Sequence, residues 1–395
     1  MNSFTQADIA KRCNVTRATV NRWVDLAKEK KNNLQLDLTN KIAKILDNPN
    51  NDVELNRLAN EAKKYRNSIP MKEVQVAKDF YSYFTEEEVV EIITDLEFKN
   101  EVNLKFVYRN GGAENWNSFY QSNISKIKSD VQDFVEEISS HTKSLLKQNA
   151  KLNIIDIGPG NSEPVIDLIK PLASKNLIQN YVLIDISNEI IEISKKTFTL
   201  NFPDIQIKSF MMDIEYGRFR KIFFENIASN SSNLILLLGN TISNINDKLQ
   251  TLKNIYRGMS EDDTFALTFS LDGEKNRSSL NYVKTEDADQ AHSFLLNKMG
   301  VDTDECEIVV EFNEKEKCKT KSIILDKDYS IQFKLFGKTK MVQLEKDERI
   351  VVWKHYLSSM EDFIADLHTA GFETLVTRKS PDLANGLVIC QAKMN

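Results

Sequence analysis

The sequence lacks most marks of a secreted, membrane-spanning or metal-built protein. Its four cysteines, Cys13, Cys306, Cys318 and Cys390, are scattered without metal-ligand spacing. No disulfide framework is expected, and a cytoplasmic, reducing setting fits. Four histidines, with neither H-E-x-x-H nor C-x-x-C, indicate no structural or catalytic metal. No apolar run reaches the ~18 residues of a membrane span, and no charged-then-apolar leader stands at the start. Neither a span nor a signal peptide is expected. A net charge of −6 excludes the whole chain as an electrostatic nucleic-acid binder.

What is present is 395 residues, 41% of them hydrophobic, enough for two or three domains with ordinary packed cores. Charge is uneven. Residues 1–66 carry 13 Lys and Arg against 8 Asp and Glu, a net +5, so the remainder carries −11. The N-terminal piece is a separate electrostatic object.

Lys151 to Ile169, KLNIIDIGPGNSEPVIDLI, organises the chain. Leu152, Ile154, Ile155 and Ile157 form an unalternating apolar run, as in a strand buried on both faces. Asp156 interrupts it, Gly158-Pro159-Gly160 turns, and Val165, Ile166, Leu168 and Ile169 follow at helical spacing. Strand, glycine turn and helix open an α/β sheet where a nucleotide-like ligand meets the backbone. The third glycine of G-x-G-x-x-G is absent, because Asn161, Ser162 and Glu163 follow Gly160. Glu163 in the first helical turn repels phosphate where phosphate would use free N–H groups. The loop suits a phosphate-free ligand, and S-adenosylmethionine is the candidate cofactor, held by Asp156, Gly158, Gly160, Asn161 and Ser162.

Further strands strengthen this. Tyr181 to Asp185 ends in an acid placed to accept from both ribose hydroxyls, with Ile186 beside it. Ile205 to Met212 is closed by Asp213, an acid able to hold an adenine amino group. Asn233 to Leu238 ends at Gly239-Asn240-Thr241. Four apolar runs, each followed by a helical pattern, predict a parallel sheet with its ligand at the carboxyl ends.

Phe4 to Lys30 reads as helix-turn-helix. Thr5 and Thr16 cap, Asn14-Val15 turns, and Val20, Trp23, Val24 and Ala27 face inward. Arg17, Thr19, Asn21 and Arg22 are left outside, a set that reaches bases and phosphates in a major groove. The stretch resembles the DNA-binding motif of small bacterial regulators. DNA is one expected partner; a helical bundle for docking or for a homodimer is the other reading.

Met71 to Asn110 reads as mostly helical, with Glu86 to Leu96 amphipathic. Lys105 to Tyr120 places a Gly-Gly turn among aromatics, either a substrate lid or wall, or a surface loop with core anchors. Asn123 to Gln148 is a long helix. Thr264 to Leu271 is a fifth strand and Ala288 to Met299 a helix. From Glu305 to Val352 the period changes to two, predicting a β-meander with a hairpin turn at Gly337-Lys338. Ser358 to Ala370 is a helix stopped by Gly371, and Phe372–Thr377 and Gly386–Ala392 form an antiparallel pair.

From about Glu86 onward the chain resembles the histidine-specific N-alpha-methyltransferases of ergothioneine biosynthesis and their fungal relatives acting on tryptophan derivatives. The residues that carry the likeness are DIGPGNSE (156–163), LIDIS (183–187), LLGNTISNI (237–245), VYRNGGAENW (107–116), and the Tyr282 segment with the helix after it. The resemblance implies an α/β, Rossmann-like class I methyltransferase sheet with an inserted β-rich substrate subdomain, beside an all-α helix-turn-helix domain. The expected divisions are 1–68, 69–150, 151–275, 276–352 and 353–395. It implies that Asn244 and Tyr282 hold an amino-acid carboxylate and that Tyr108 lies near the amine. From the residues alone, Asn244 reads as a helix cap and Tyr282 as an exposed loop aromatic.

The family reads imidazole with a Glu and a Ser two residues apart on a late strand. Here that region is Arg349-Ile350-Val351-Val352-Trp353-Lys354-His355, and no register supplies the pair. Such a site cannot select a polar ring strongly. The expectation is N-methylation of an amino acid or small amine other than free histidine. The alternatives are a DNA-binding regulator whose methyltransferase-like domain senses a ligand, and a macromolecule methyltransferase docked by the N-terminal domain. No D/N-P-P-Y/F motif supports a DNA amino-methyltransferase.

Overall fold

The computed structural model describes residues 71–109, 111–145, 151–226, 232–278 and 286–393. The expected helix-turn-helix, with Arg17, Thr19, Asn21 and Arg22, lies outside the described residues, as does Tyr282. The chain divides into two compact units. The smaller gathers the residues up to Glu101 with Leu296–Glu307 and Ile323–Ile350; the larger holds Val102–Leu295, Ile308–Ser322 and Val351–Asn395.

Along the chain the strands are β1 (Lys72–Gln75), β2 (Leu152–Ile157), β3 (Ile178–Asp185), β4 (Gln206–Met211), β5 (Ser232–Leu237) and β6 (Thr264–Ser270). They continue with β7 (Glu307–Asn313), β8 (Cys318–Ile324), β9 (Tyr329–Leu335), β10 (Lys338–Leu344), β11 (Arg349–Tyr356), β12 (Phe372–Lys379) and β13 (Asn385–Ala392). The larger unit is built on a seven-stranded sheet ordered β12-β13-β6-β5-β2-β3-β4. Its inner pairs are parallel, while β13 lies antiparallel to both β6 and β12.

Every residue of β2 and β6 is buried, so neither strand alternates apolar with polar. Neighbouring residues instead feed two cores. Ile155, Ile157, Val182 and Ile184 pack on one face with Phe363 and Leu367 from the helix Met360–Ala370. Ile154, Tyr181, Leu183 and Leu234 pack on the other with Phe134 and Leu168. Buried amides cross the sheet near the strand starts. Asn180 Nδ2 donates to Asn153 Oδ1 at 2.7 Å, Asn153 Nδ2 to Asn233 Oδ1 at 3.0 Å, and Asn233 Nδ2 to Asp263 Oδ1 at 2.8 Å. A slip of one residue would strand these amides without partners. The register pairs Ile157 with Ile184 and Asp185 with Met211, so the carboxyl ends of β2, β3 and β4 finish level.

Four local expectations need correction. The strands expected in a single β-meander divide into two sheets, β1-β9-β10 and β11-β8-β7. β1 comes from a stretch that reads as helical. Only its Val74 is partly buried, so backbone pairing with β9 decides the conformation and no side-chain period announces it. The hairpin turn sits at Phe336-Gly337, with φ of 47° and 71°, as the twist of a two-residue hairpin requires. The long helix starts at Gly112 and runs to Leu145, so the glycine pair begins it.

Phe269 of β6 and Phe363 stack with centroids 3.9 Å apart and planes at 4°, both buried. Phe363→Ala should lower unfolding stability by about 3–5 kcal/mol, read from the midpoint of a urea titration.

Candidate active site

The site grows from the turn after β2. Gly158, Gly160 and Ser162 all take left-handed backbone, with φ of 63°, 57° and 61°. A Cβ on Gly158 would stand 2.8 Å from Thr241 Cγ2, and one on Gly160 2.7 Å from the Trp116 ring. Both glycines are therefore required by close approach as well as by φ.

Beneath the turn, Tyr181 donates to Asp156 Oδ2 at 2.5 Å, and its oxygen is hydrogen-bonded to Ser162 Oγ at 3.1 Å. Ser162 also bonds the Ser194 hydroxyl. Asn161 Oδ1 accepts the Glu163 N–H at 3.1 Å. Asp156 and Ser162 thus brace the turn from below, and Asn161 closes it from within. Burial pushes the Asp156 carboxyl up to about 7; the Tyr181 hydrogen bond opposes the rise and the charge of Asp185 adds to it.

A cleft opens at the carboxyl ends of the strands and encloses about 730 Å³, its mouth included, a size common for small-molecule sites. Of the residues singled out in the sequence, Tyr108, Gly158, Gly160, Asp185, Ile186, Asp213 and Asn244 stand on its wall. Asp156, Pro159 and Gly239 line a smaller adjoining cavity, which Gly158 and Gly160 share. Asn161, Ser162, Met212 and Asn240 line neither. Met212 packs on the core, and Asn240 donates to Asn385 Oδ1 at 2.7 Å, holding β13 to the turn after β5.

Burial raises Asp185 from 3.8 to about 7, although it accepts the Ser187 N–H at 3.0 Å. Asp213 carries an ion pair to Lys105 Nζ at 3.0 Å and accepts the Glu215 N–H at 2.9 Å. Tyr108 meets Trp116 edge-on at 6.4 Å. Burial, with the nearby charge of Asp185, pushes the Tyr108 phenol well above its ordinary value. It stays protonated at neutral pH.

Sequence reasoning missed Lys105, Trp116, Ile190, Glu215, Thr241 and Ile245 on the wall. Trp116 belongs to the aromatic-glycine segment, whose Lys105, Tyr108 and Trp116 line the cleft beside Asn103 and Leu104 just before it. Lys105 gave no signal beyond one cation among aromatics. Asn244 is not the cap of the next helix, because Asp247 takes that role by accepting the Gln250 N–H at 3.0 Å.

Residues 86–392 match the family described as histidine-specific methyltransferase, SAM-dependent. The chain belongs to this family. As a member of the histidine-specific methyltransferase family it is an S-adenosylmethionine-dependent enzyme. No curated protein matches the chain. Among solved structures, an S-adenosylmethionine-dependent methyltransferase from Clostridium acetobutylicum ATCC 824 is 13% identical, with a TM-score of 0.43 over 71% of this chain and 99% of that one. DesVI of Streptomyces venezuelae is 11% identical, with a TM-score of 0.35 over 71% and 98%. The CcbJ methyltransferase of Streptomyces caelestis is 8% identical, with a TM-score of 0.35 over 66% and 90%.

The cleft of this family member fits the cofactor on its own terms. Bare glycine backbone faces it where any Cβ would clash, and a buried acid closes β3. Ribose hydroxyls bond an ionised carboxylate better than a neutral one. Binding of S-adenosylhomocysteine should therefore tighten as pH rises from about 6 to about 8, through the raised value of Asp185. Asp185→Asn should weaken binding and flatten that slope in calorimetry. For stability the sign is opposite. The folded protein holds a proton on Asp185 between 3.8 and about 7 that the unfolded chain releases, so this contribution is lost as pH climbs through that window.

Proposed function

We propose that the chain is an S-adenosylmethionine-dependent N-methyltransferase acting on the amino group of an amino acid or related small amine other than free histidine. The observation that carries this is the placing of Asn244 on the same wall as Asp185 and Tyr108. An amide donor suited to a substrate carboxylate then lies in one cleft with the acid suited to the cofactor's ribose.

When bound, S-adenosylmethionine supplies an electrophilic methyl group on a sulfonium. Gly158 and Gly160 leave room for its amino-acid arm, Asp185 accepts from its ribose, and Ile186 and Ile190 give apolar surface for its base. Asp213, its charge offset by Lys105, accepts from the adenine amino group. Asn244 donates an amide N–H to the acceptor carboxylate and Tyr108 a phenol O–H beside the amine, charge-assisted contacts of the kind that orient a small ligand. Holding a neutral amine in line with the methyl group supplies much of the rate. Trp116 and the segment before it keep water from the reacting atoms.

The case against histidine is chemical. β11 offers no acid between Arg349 and Tyr356, and Val352 and Trp353 are buried. Among the described carboxylates on the wall, Asp213 is held by Lys105, and Glu215 accepts the Asp247 N–H at 3.0 Å. Asp185 is committed to the ribose. With the described wall carboxylates so engaged, an acceptor other than histidine is the reading this wall supports.

Tritium transfer from labelled S-adenosylmethionine into a panel of amino acids, amines and whole lysate tests this reading. Label should enter a small amine and not histidine. Tight histidine binding that depends on S-adenosylhomocysteine would refute the specificity, and label confined to protein or nucleic acid would refute the substrate class. Asn244→Ala should cost about 1.5–3 kcal/mol of transition-state binding, roughly tenfold to a hundredfold in kcat/KM, with S-adenosylhomocysteine affinity little changed.

A further inference from the structure

His355 is buried on β11, its ring nearly parallel to that of Trp353, centroids 5.5 Å apart and planes at 8°. One edge of the imidazole meets Asn244, with Nδ1 2.7 Å from Oδ1. The other meets the end of β6, with Nε2 2.8 Å from Ser270 Oγ. Ser270 donates its own backbone N–H to Ser243 Oγ at 3.0 Å. One ring therefore joins β11, β6 and the short turn Thr241–Asn244.

The proton positions follow from the partners. An amide oxygen only accepts, so Nδ1 must carry hydrogen. A neutral ring then has a bare Nε2, which accepts from the Ser270 hydroxyl. With Oδ1 held against the imidazole, the Nδ2 edge of Asn244 is turned away from it, and Asn244 is a wall residue of the cleft. The opposite tautomer would reverse the amide and present oxygen to the acceptor, where it would repel a carboxylate.

We propose that His355 is a positioning residue that locks the Asn244 amide with its N–H groups toward the acceptor, and so makes the site prefer amines that carry a carboxylate over the matching bare amines. This rests on the reading of Asn244 given above. His355 acts through Asn244 and meets no reacting atom.

Two measurements test it, both on the full chain saturated with S-adenosylhomocysteine. In the first, protein labelled with ¹⁵N-histidine is examined by long-range ¹H–¹⁵N correlation, and the spectrum of His355→Gln assigns the His355 signals. The Nδ1–H tautomer is expected; the Nε2–H tautomer overturns the proposal. This measurement needs no acceptor. The second is calorimetry with matched pairs: tryptophan and tryptamine, phenylalanine and phenethylamine, histidine and histamine. Wild type should favour the acid member of its best pair by roughly tenfold or more. His355→Leu should lose that preference while S-adenosylhomocysteine affinity shifts less than about twofold, and His355→Gln, which keeps a donor for Asn244, should restore part of it. A preference undiminished in His355→Leu overturns the proposal. Absence of binding to every acid member in wild type refutes the carboxylate reading of Asn244 and the preference with it. The tautomer separates that failure from a failure of His355 to hold the amide.

Discussion

The site depends on the hydrogen bond from Tyr181 to Asp156, set beneath the glycine turn with both residues buried. It ties the end of β2 to β3, and through Ser162 it reaches the turn itself. Tyr181 is immobilised from the other side by Phe198, stacked at 3.7 Å with planes at 7°. A backbone held left-handed at Gly158, Gly160 and Ser162 needs such support, because the strained residue Ser162 relaxes if its hydroxyl loses its partners. The aromatic pair thus transmits the packing of the sheet into the shape of the ligand-facing turn. A buried carboxyl is acceptable there because the phenol satisfies it, and its raised pKa records the cost that remains.

Much of this frame was legible in the residues. The apolar run of β2, the acid ending β3 and the left-handed glycines each follow from burial, charge or steric rules that act within a few residues. The antiparallel β12–β13 pair and the stop at Gly371, with φ of 106°, are equally local. What was not legible depends on partners distant in sequence. β1 has no apolar period and exists because β9 offers it an edge. Lys105 is a single cation among aromatics until the fold brings it to Asp213, 108 residues away. Ser162 lies in the glycine motif, but its side chain turns inward to Tyr181 and Ser194, a direction no motif specifies.

Asn244 shows the same limit from another side. Within its own segment it could have capped the following helix, yet Asp247 does so, leaving the asparagine for the cleft. Its amide is then oriented by a histidine 111 residues further on. On the proposed reading, the late strand takes part in acceptor recognition although it lacks the acid and serine expected of a histidine reader. Val352 and Trp353 remove polar groups from that strand, while His355 adds one directed at Asn244. The two changes together fit recognition of the amino-acid head, with the side chain left to apolar surface.

The charges around the cleft bear on turnover as well as binding. Asp185, Asp213 and Glu215 stand on the wall, Asp156 lies behind the turn, and Lys105 is the one described cation lining the cleft. Burial keeps the carboxyls of Asp156, Asp185 and Glu215 above their ordinary values. A cationic ligand relieves that crowding by favouring the ionised forms, and it gains Coulomb energy in a site where water screens weakly. Loss of the methyl group turns a sulfonium into a neutral thioether and removes this gain. On the proposed reading, the acids that favour the charged cofactor would hold the spent one less firmly.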